Sequence, residues 1–368
     1  MTMWKSWPGL VLGLLLALPA WAGDPRPDGD LVHASGFERP TQSIGGSNYL
    51  WHDLGPACDR EPYGLVASYH LSSGGVGVRA RAQAQLAQMY ANGMRRLSLG
   101  MYFGHAMQTG TVIDVSDPAQ VAQALYNIDA LLADVKSAGF EEILFRFFPV
   151  GTINPSYSSF DADLIDEYWA LIQNVRPLLV VSGLPYKIDL MVEGAPRHKS
   201  TPLPSSWKYP VNEKWSRAVR TLWQRYKATY DIGDSIGFSF LTDADPDRLR
   251  ARVRHMRYVY EGDYPDVFAA DLYADGDVRE ADKFIALHRA MVEEDAAGSR
   301  GWKNASWIIA EAFYDDPFAA AGLSAAIAST RRSVRYLTQW PLDRAGPVCD
   351  DVNVAPAYVW DVFGSYRF

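Results

Sequence analysis

Cysteine is almost absent from this chain: Cys58 and Cys349 are the only two in 368 residues. A disulfide-dense scaffold and a cysteine-based zinc module are thereby excluded, though one bridge between the pair is expected in an oxidising compartment. Clustered positive charge is also missing. Lys and Arg number 35 against 43 Asp and Glu, for a net charge of −8, and no basic patch stands out to hold nucleic acid. There is no long apolar run; Leu10–Leu18 is far shorter than the ~20 residues a spanning helix needs, so no membrane insertion is expected. The seven histidines form no HExxH or paired spacing, and no GxSxG occurs, which sets aside zinc hydrolysis and a serine nucleophile elbow. Internal repeats and low-complexity tracts are lacking too.

What is present begins with a leader. Lys5, the apolar Leu10–Leu18 and Ala20-Trp21-Ala22 make a secretory signal peptide over residues 1–22, cut after Ala22, so the chain is expected to be secreted or periplasmic. Residues 23–62, rich in Pro, Gly and Asp without a period, read as an N-terminal extension. From residue 63 to 368 short apolar runs alternate with helical patterns. The predicted strands are Gly64–His70, Arg96–Phe103, Glu142–Pro149, Lys187–Glu193, Ser235–Leu241, Val267–Tyr273, Trp307–Phe313 and Ala357–Val362. The predicted helices include Pro118–Ser137, Glu213–Tyr230, Asp247–Tyr260 and Ala319–Thr338. Asp117-Pro118, Asp245-Pro246 and Asp316-Pro317 each offer a capping aspartate before a proline at the first helical position. Eight strands alternating with helices predict an α/β fold, a (β/α)8 TIM barrel in a single domain; an open doubly wound sheet is the alternative.

Chemistry in such a barrel belongs at the C-terminal strand ends. Two glutamates occupy matching places there: Glu193 closing "KIDLMVEGAP" on the fourth strand and Glu311 in "WIIAEAF" on the seventh. A carboxylate inside a buried apolar run is costly unless paired or used. Two that converge across a barrel mouth can hydrolyse a glycosidic bond, with retention when about 5–5.5 Å apart.

On these residues the chain resembles the clan A glycoside hydrolases, retaining (β/α)8 enzymes with glutamates ending strands four and seven. The resemblance implies Glu193 as acid/base and Glu311 as nucleophile. It also implies substrate contacts from Arg96, near the family's common arginine on strand two, and from Asp271 and Tyr273 in "DLY", where the family often has His-x-Tyr. Trp360 resembles its sugar-platform tryptophan. Val192 stands where the family usually has asparagine, and Asp271 where it has histidine. A second alignment takes "IGFSFLTDADP" as strand four and Asp245 as the acid, with Asp243 beside it; a helix cap is the competing role for Asp245.

Further candidates for sugar contact are His70, Tyr102 and Arg146 from strand positions facing the interior, and Trp207 in the long Gly194–Val211 loop. "GVGVRA" at Gly75–Ala80 fits a dinucleotide fingerprint, but no acid ends the next strand, so no cofactor is expected. No metal is expected either. The predicted function is hydrolysis of a polysaccharide or oligosaccharide by a monomer, the alternative being a glycan-binding barrel without catalysis.

Overall fold

The computed structural model describes residues 44–50, 64–73, 76–107, 111–195, 213–243, 245–274, 277–296, 305–313, 316–340, 363–366 and 368. Eight barrel strands run in parallel. They are β1 (Gly46–Asn48), β2 (Arg96–Gly104), β3 (Glu142–Pro149), β4 (Tyr186–Asp189), β5, β6 (Val267–Asp271), β7 (Ser306–Glu311) and β8 (Val334–Gln339). β5 comes in two segments, Ser235–Gly237 and Phe240–Leu241. The first segment pairs with β4 and the second with β6, while β1 sits between β8 and β2. The sheet path therefore starts and ends on one stretch of chain, and closes.

Helices fill the intervals, among them Val78–Ala91, Pro118–Ser137, Ile165–Ser182, Glu213–Thr229, Pro246–Tyr260, Glu280–Ala296 and Pro317–Thr330. The three Asp-Pro starts behave as expected. Asp117 accepts from the Ala119 N–H, Asp245 from Asp247 and Arg248, and Asp316 from Phe318 and Ala319. The Asp245 side chain is thus a cap.

The first and last strands differ from expectation. Gly64–His70 is not a strand: Leu65–Ser68 is a short helix, and the first strand is Gly46–Asn48, inside the stretch read as a lead-in. Three residues of Gly-Ser-Asn carry no apolar period, and their reason is backbone proximity. A Cβ on Gly45 would lie 1.8 Å from the Leu337 carbonyl oxygen, and one on Gly46 1.9 Å from that of Arg96. The eighth strand is Val334–Gln339, where a continuing helix was expected. That helix stops at Thr330 because Arg331 turns left-handed, with φ 55°. "VRYLTQ" then brings the β-branched and aromatic residues that suit a strand. The predicted Ala357–Val362 lies outside the described residues, as do Cys58, Cys349 and residues 1–43.

Alternation along the strands divides the core in two. Leu97, Leu99, Met101 and Phe103 of β2 and Ile143, Phe145 and Phe147 of β3 join the large cluster shared with the helices. The opposite parity of the strands gives a small interior cluster, Leu144, Ile236, Val267, Ala269, Ile308, Ala310 and Tyr336. Above it the interior turns polar.

Candidate functional site

Arg146 lies at the centre of that polar layer. It shares a β3 face with Leu144 and is fully buried, its side chain 0% exposed. Its Nε donates to Asp189 Oδ2 at 3.1 Å, and Nη2 to both Asp271 oxygens at 2.9 Å and to Ser239 Oγ at 3.2 Å. Its Nη1 donates to Glu311 Oε1 and, at 3.4 Å, to Asn48 Oδ1. One guanidinium thus gathers three buried carboxylates from β4, β6 and β7. Burial alone would lower its pKa, but the charges of Asp271, Glu311 and Asp189 raise it well above the ordinary value.

Glu311 owes its direction to a bulge. Trp307 and Ile309 of β7 face the helices and Ile308 and Ala310 face the interior, so simple alternation would send residue 311 outward. The pairing shifts, however: Ala270 lies opposite Ile309 and Asp271 opposite Glu311, leaving Ala310 as an extra residue. Such a bulge re-aims the following side chain. Glu311 turns inward, where Oε1 accepts from Arg146 and Oε2 accepts from the Tyr273 hydroxyl.

The neighbouring ionisations follow from burial. Asp271 is pushed well above the usual carboxylate range by desolvation, against the pull of Arg146 and with help from the charges on Glu311 and Asp189. Asp189 rises for the same first reason. Burial and the Glu311 charge together hold the Tyr273 phenol well above its ordinary value, so it donates rather than accepts. Its ring packs on Phe313 at 4.6 Å between centroids.

Glu193 lies four residues beyond the end of β4, in a turn. Its backbone is left-handed, φ 50°, a region that costs a non-glycine residue about 1–2 kcal/mol. The turn is nonetheless well tied. The Val192 N–H donates to the Phe147 carbonyl at 3.0 Å, the Glu193 N–H to Ser239 Oγ at 2.8 Å and the Gly194 N–H to the Met191 carbonyl at 2.9 Å. Strained backbone held by surrounding bonds is a feature of functional sites.

Of the other expected residues, some converge here and some do not. Arg146, Asp271 and Tyr273 surround Glu311, although Arg146 and Asp271 are buried beneath the site rather than open to a ligand. Tyr102 stacks on Phe148, centroids 4.3 Å apart, and Phe148 in turn covers the Arg146 guanidinium at 5.5 Å. Gly100 makes room for that ring: a Cβ there would come within 2.5 Å of Phe148. Asp243 follows β5 and accepts from the Asp245 N–H at 3.0 Å.

Arg96 is at the wrong end. It opens β2 at the N-terminal rim, where Nε meets Glu142 at 3.1 Å and Nη2 meets Glu141 at 3.2 Å. The nine-residue run "RLSLGMYFG" puts the arginine at the strand's start, and counting from the barrel's other rim would have excluded it. His70 is not on a strand at all; its Nδ1 faces the Asn127 amide at 3.0 Å, outside the barrel. Trp207 and Trp360 lie outside the described residues.

Three members of the site carried little or no signal. Asp189 was visible as a charge within the apolar run "KIDLMV". Ser239 and Asn48 were not, because a serine or asparagine reads as polar filler until its partners are known. Asn48 Nδ2 donates to the Ala310 carbonyl at 2.7 Å, bracing the β7 bulge just before Glu311. Among the described residues no group of His, Cys, Asp and Glu could hold a metal ion, and no helix is long and apolar enough to cross a membrane.

No family profile and no curated protein matches the chain. Solved structures do. GH5_18 from Streptomyces cattleya in complex with GlcNAc superposes with a TM-score of 0.52 at 13% identity, over 89% of this chain and 80% of that one. A glutamate-to-alanine variant of GH5_18 from the same organism, in complex with Manb1-4GlcNAc, gives 0.53 at 14% over 89% and 81%. A hyperthermophilic beta-glucosidase mutant gives 0.50 at 11% over 83% and 92%. The fold of this chain is the TIM barrel of these glycoside hydrolases.

Proposed function

We propose that this barrel is a retaining glycoside hydrolase acting on a polysaccharide or oligosaccharide, with Glu311 as nucleophile and Glu193 as acid/base. The observation that carries the reading is Glu311 itself: a carboxylate turned into the barrel at the C-terminal end of β7, with one oxygen on Arg146 and the other on Tyr273. Two donors fix its plane and leave its attack direction set before substrate arrives, which is where positioned catalysis gains most. A Glu311 oxygen attacks the anomeric carbon as Glu193 protonates the departing oxygen. Water, deprotonated by Glu193, then releases the sugar from Glu311. The oligosaccharide and sugar ligands named for the structural neighbours support a carbohydrate substrate. The leader pattern at residues 1–22 supports export, and the reading requires no second subunit.

A second reading is a glycan-binding barrel without catalysis. It is favoured by the 6% exposure of the Glu311 side chain, low for a nucleophile.

Reducing-end release from a panel of soluble polysaccharides separates the two. Activity should vanish in Glu311→Gln and Glu193→Gln with the fold retained, and a 2-deoxy-2-fluoro glycoside should leave its mass on Glu311. Activity that survives Glu311→Gln would overturn the assignment. Glycan binding with no hydrolysis by wild type would favour the second reading.

A further inference from the structure

We propose that Ser239 is a positioning residue that couples the two glutamates, setting Glu193 against Glu311 through one hydroxyl. The proposal rests on the catalytic reading above and goes beyond it by naming what holds the pair in register.

Ser239 occupies the two-residue gap, Phe238-Ser239, between the segments of β5. The gap follows Gly237, whose φ of 68° is left-handed; the pairing of β4 with β5 also shifts here, between Ile188 opposite Ser235 and Asp189 opposite Gly237. An irregularity of this kind redirects a side chain beside an active site. The side chain it places is fully buried. Ser239 Oγ accepts from Arg146 Nη2 at 3.2 Å and from the Glu193 N–H at 2.8 Å. Its own N–H donates to Asp189 Oδ1 at 3.1 Å. The Ser239 carbonyl accepts from the Ala195 N–H at 3.3 Å, two residues past Glu193.

The hydroxyl therefore stands between the two halves of the chemistry. On one side it meets the guanidinium that holds Glu311, and on the other the backbone of Glu193. A hydroxyl has one proton and two acceptor sites, and both acceptor sites are engaged here. Alanine would remove every side-chain contact at once and free the strained Glu193 backbone to relax. A shift of about 1 Å in a positioned group can cost about 100-fold in rate.

The effect should be specific to proton transfer, because the bond to Glu193 is lost whole while Arg146 keeps its carboxylates. Proton donation matters for a poor leaving group and little for a nitrophenolate. The experiment compares 2,4-dinitrophenyl and methyl β-glycosides of mannose and glucose across wild type, Ser239→Ala, Ser239→Cys and Ser239→Thr. The expected result is a loss of about 100-fold in kcat/KM on the methyl glycoside with Ser239→Ala, and a much smaller loss on the dinitrophenyl one. Ser239→Thr, which keeps the oxygen, should recover much of the difference; Ser239→Cys, a weak acceptor, should resemble alanine and serves if the alanine variant does not fold.

Equal losses on both substrates, or none, would overturn the coupling. Those outcomes are distinct from failure of the catalytic reading, which would show as full activity in Glu193→Gln and Glu311→Gln or as no turnover of any glycoside by wild type.

Discussion

Replacing Arg146 by methionine tests the charge balance on which the site stands. The side chain makes bonds to Asp189, Asp271, Glu311, Ser239 and Asn48, all without exposure to water. Methionine fills similar volume but leaves three carboxylates with no cation. Removing one partner from a buried ion pair costs about 3–5 kcal/mol, chiefly because the other charge stays buried. Leaving the Asn48 oxygen without this donor adds about 1 kcal/mol, while Ser239 Oγ keeps the Glu193 N–H. The total, roughly 5 kcal/mol or more, is comparable to the lower end of a domain's whole stability.

That loss should depend on pH in a defined direction. Asp271 and Asp189 already sit above the ordinary carboxylate range because burial disfavours their charged forms. A raised carboxylate binds its proton more tightly folded than unfolded. Its stabilising contribution is full below the unfolded value of about 3.9 and is lost as pH rises through the folded value. Without Arg146 the folded values rise further, so the variant loses more than wild type over the same interval. The deficit of Arg146→Met should therefore be smaller at pH 4.5 than at pH 7.5, by about 1.4 kcal/mol for each further unit of rise. Urea unfolding followed by tryptophan fluorescence at both pH values measures it. A deficit equal at both, or larger in acid, would refute the idea that the carboxylates take up protons when the guanidinium is removed.

Three other outcomes can be checked independently. Tyr273→Phe removes the donor to Glu311 Oε2; a hydrogen bond to a charged group is worth about 2 kcal/mol, so kcat/KM on a glycoside should fall by up to about 30-fold and folding stability by up to about 2 kcal/mol. Unchanged kcat/KM would mean that oxygen plays no part in attack. Glu193→Gly and Glu193→Ala should both abolish the hydrolysis proposed above, but glycine relieves the left-handed backbone, so its variant should be the more stable by about 1 kcal/mol in denaturant midpoints. Equal midpoints would show that the turn relaxes on its own. His255 is pushed down to about 4 by burial, so the unfolded chain takes up a proton that the fold refuses between about pH 6.5 and 4. Stability should fall through that window as pH drops, and His255→Leu should flatten the fall by about 2–3 kcal/mol at pH 4; an unaltered acid limb would place the proton elsewhere.

The parts of the barrel legible beforehand share a physical cause. β2, β3 and β7 are apolar runs buried on both faces, and Pro118–Ser137 and Pro246–Tyr260 open on aspartate caps, so local composition matches the final state. β1 was illegible because its requirement is an approach of neighbouring backbones to under 2 Å of where a Cβ would stand. Arg96 and His70 were misplaced for a related reason: residue type says what a side chain can do, and only strand boundaries say which rim it reaches.

Glu311 shows where the division lies. Its chemistry was set by the sequence alone: a glutamate within a buried apolar run must be paired or used, whatever the fold. The sequence also determined most of the alternation of strand and helix, because periodicity and caps are local, but it left a closed barrel and an open sheet both standing. Which way Glu311 points was decided only in three dimensions. Alternation along β7 aims it at the helices, and one extra residue, Ala310, turns it inward. Arg146, Asp189, Asp271 and Glu311 could all be read as facing the interior, but that one guanidinium would bind all three carboxylates, and that Ser239 would stand between Arg146 and Glu193, were beyond reach of the sequence. Their partners lie on five different strands or the turns after them, and no pairwise spacing along the chain encodes a meeting that only closure of the sheet produces.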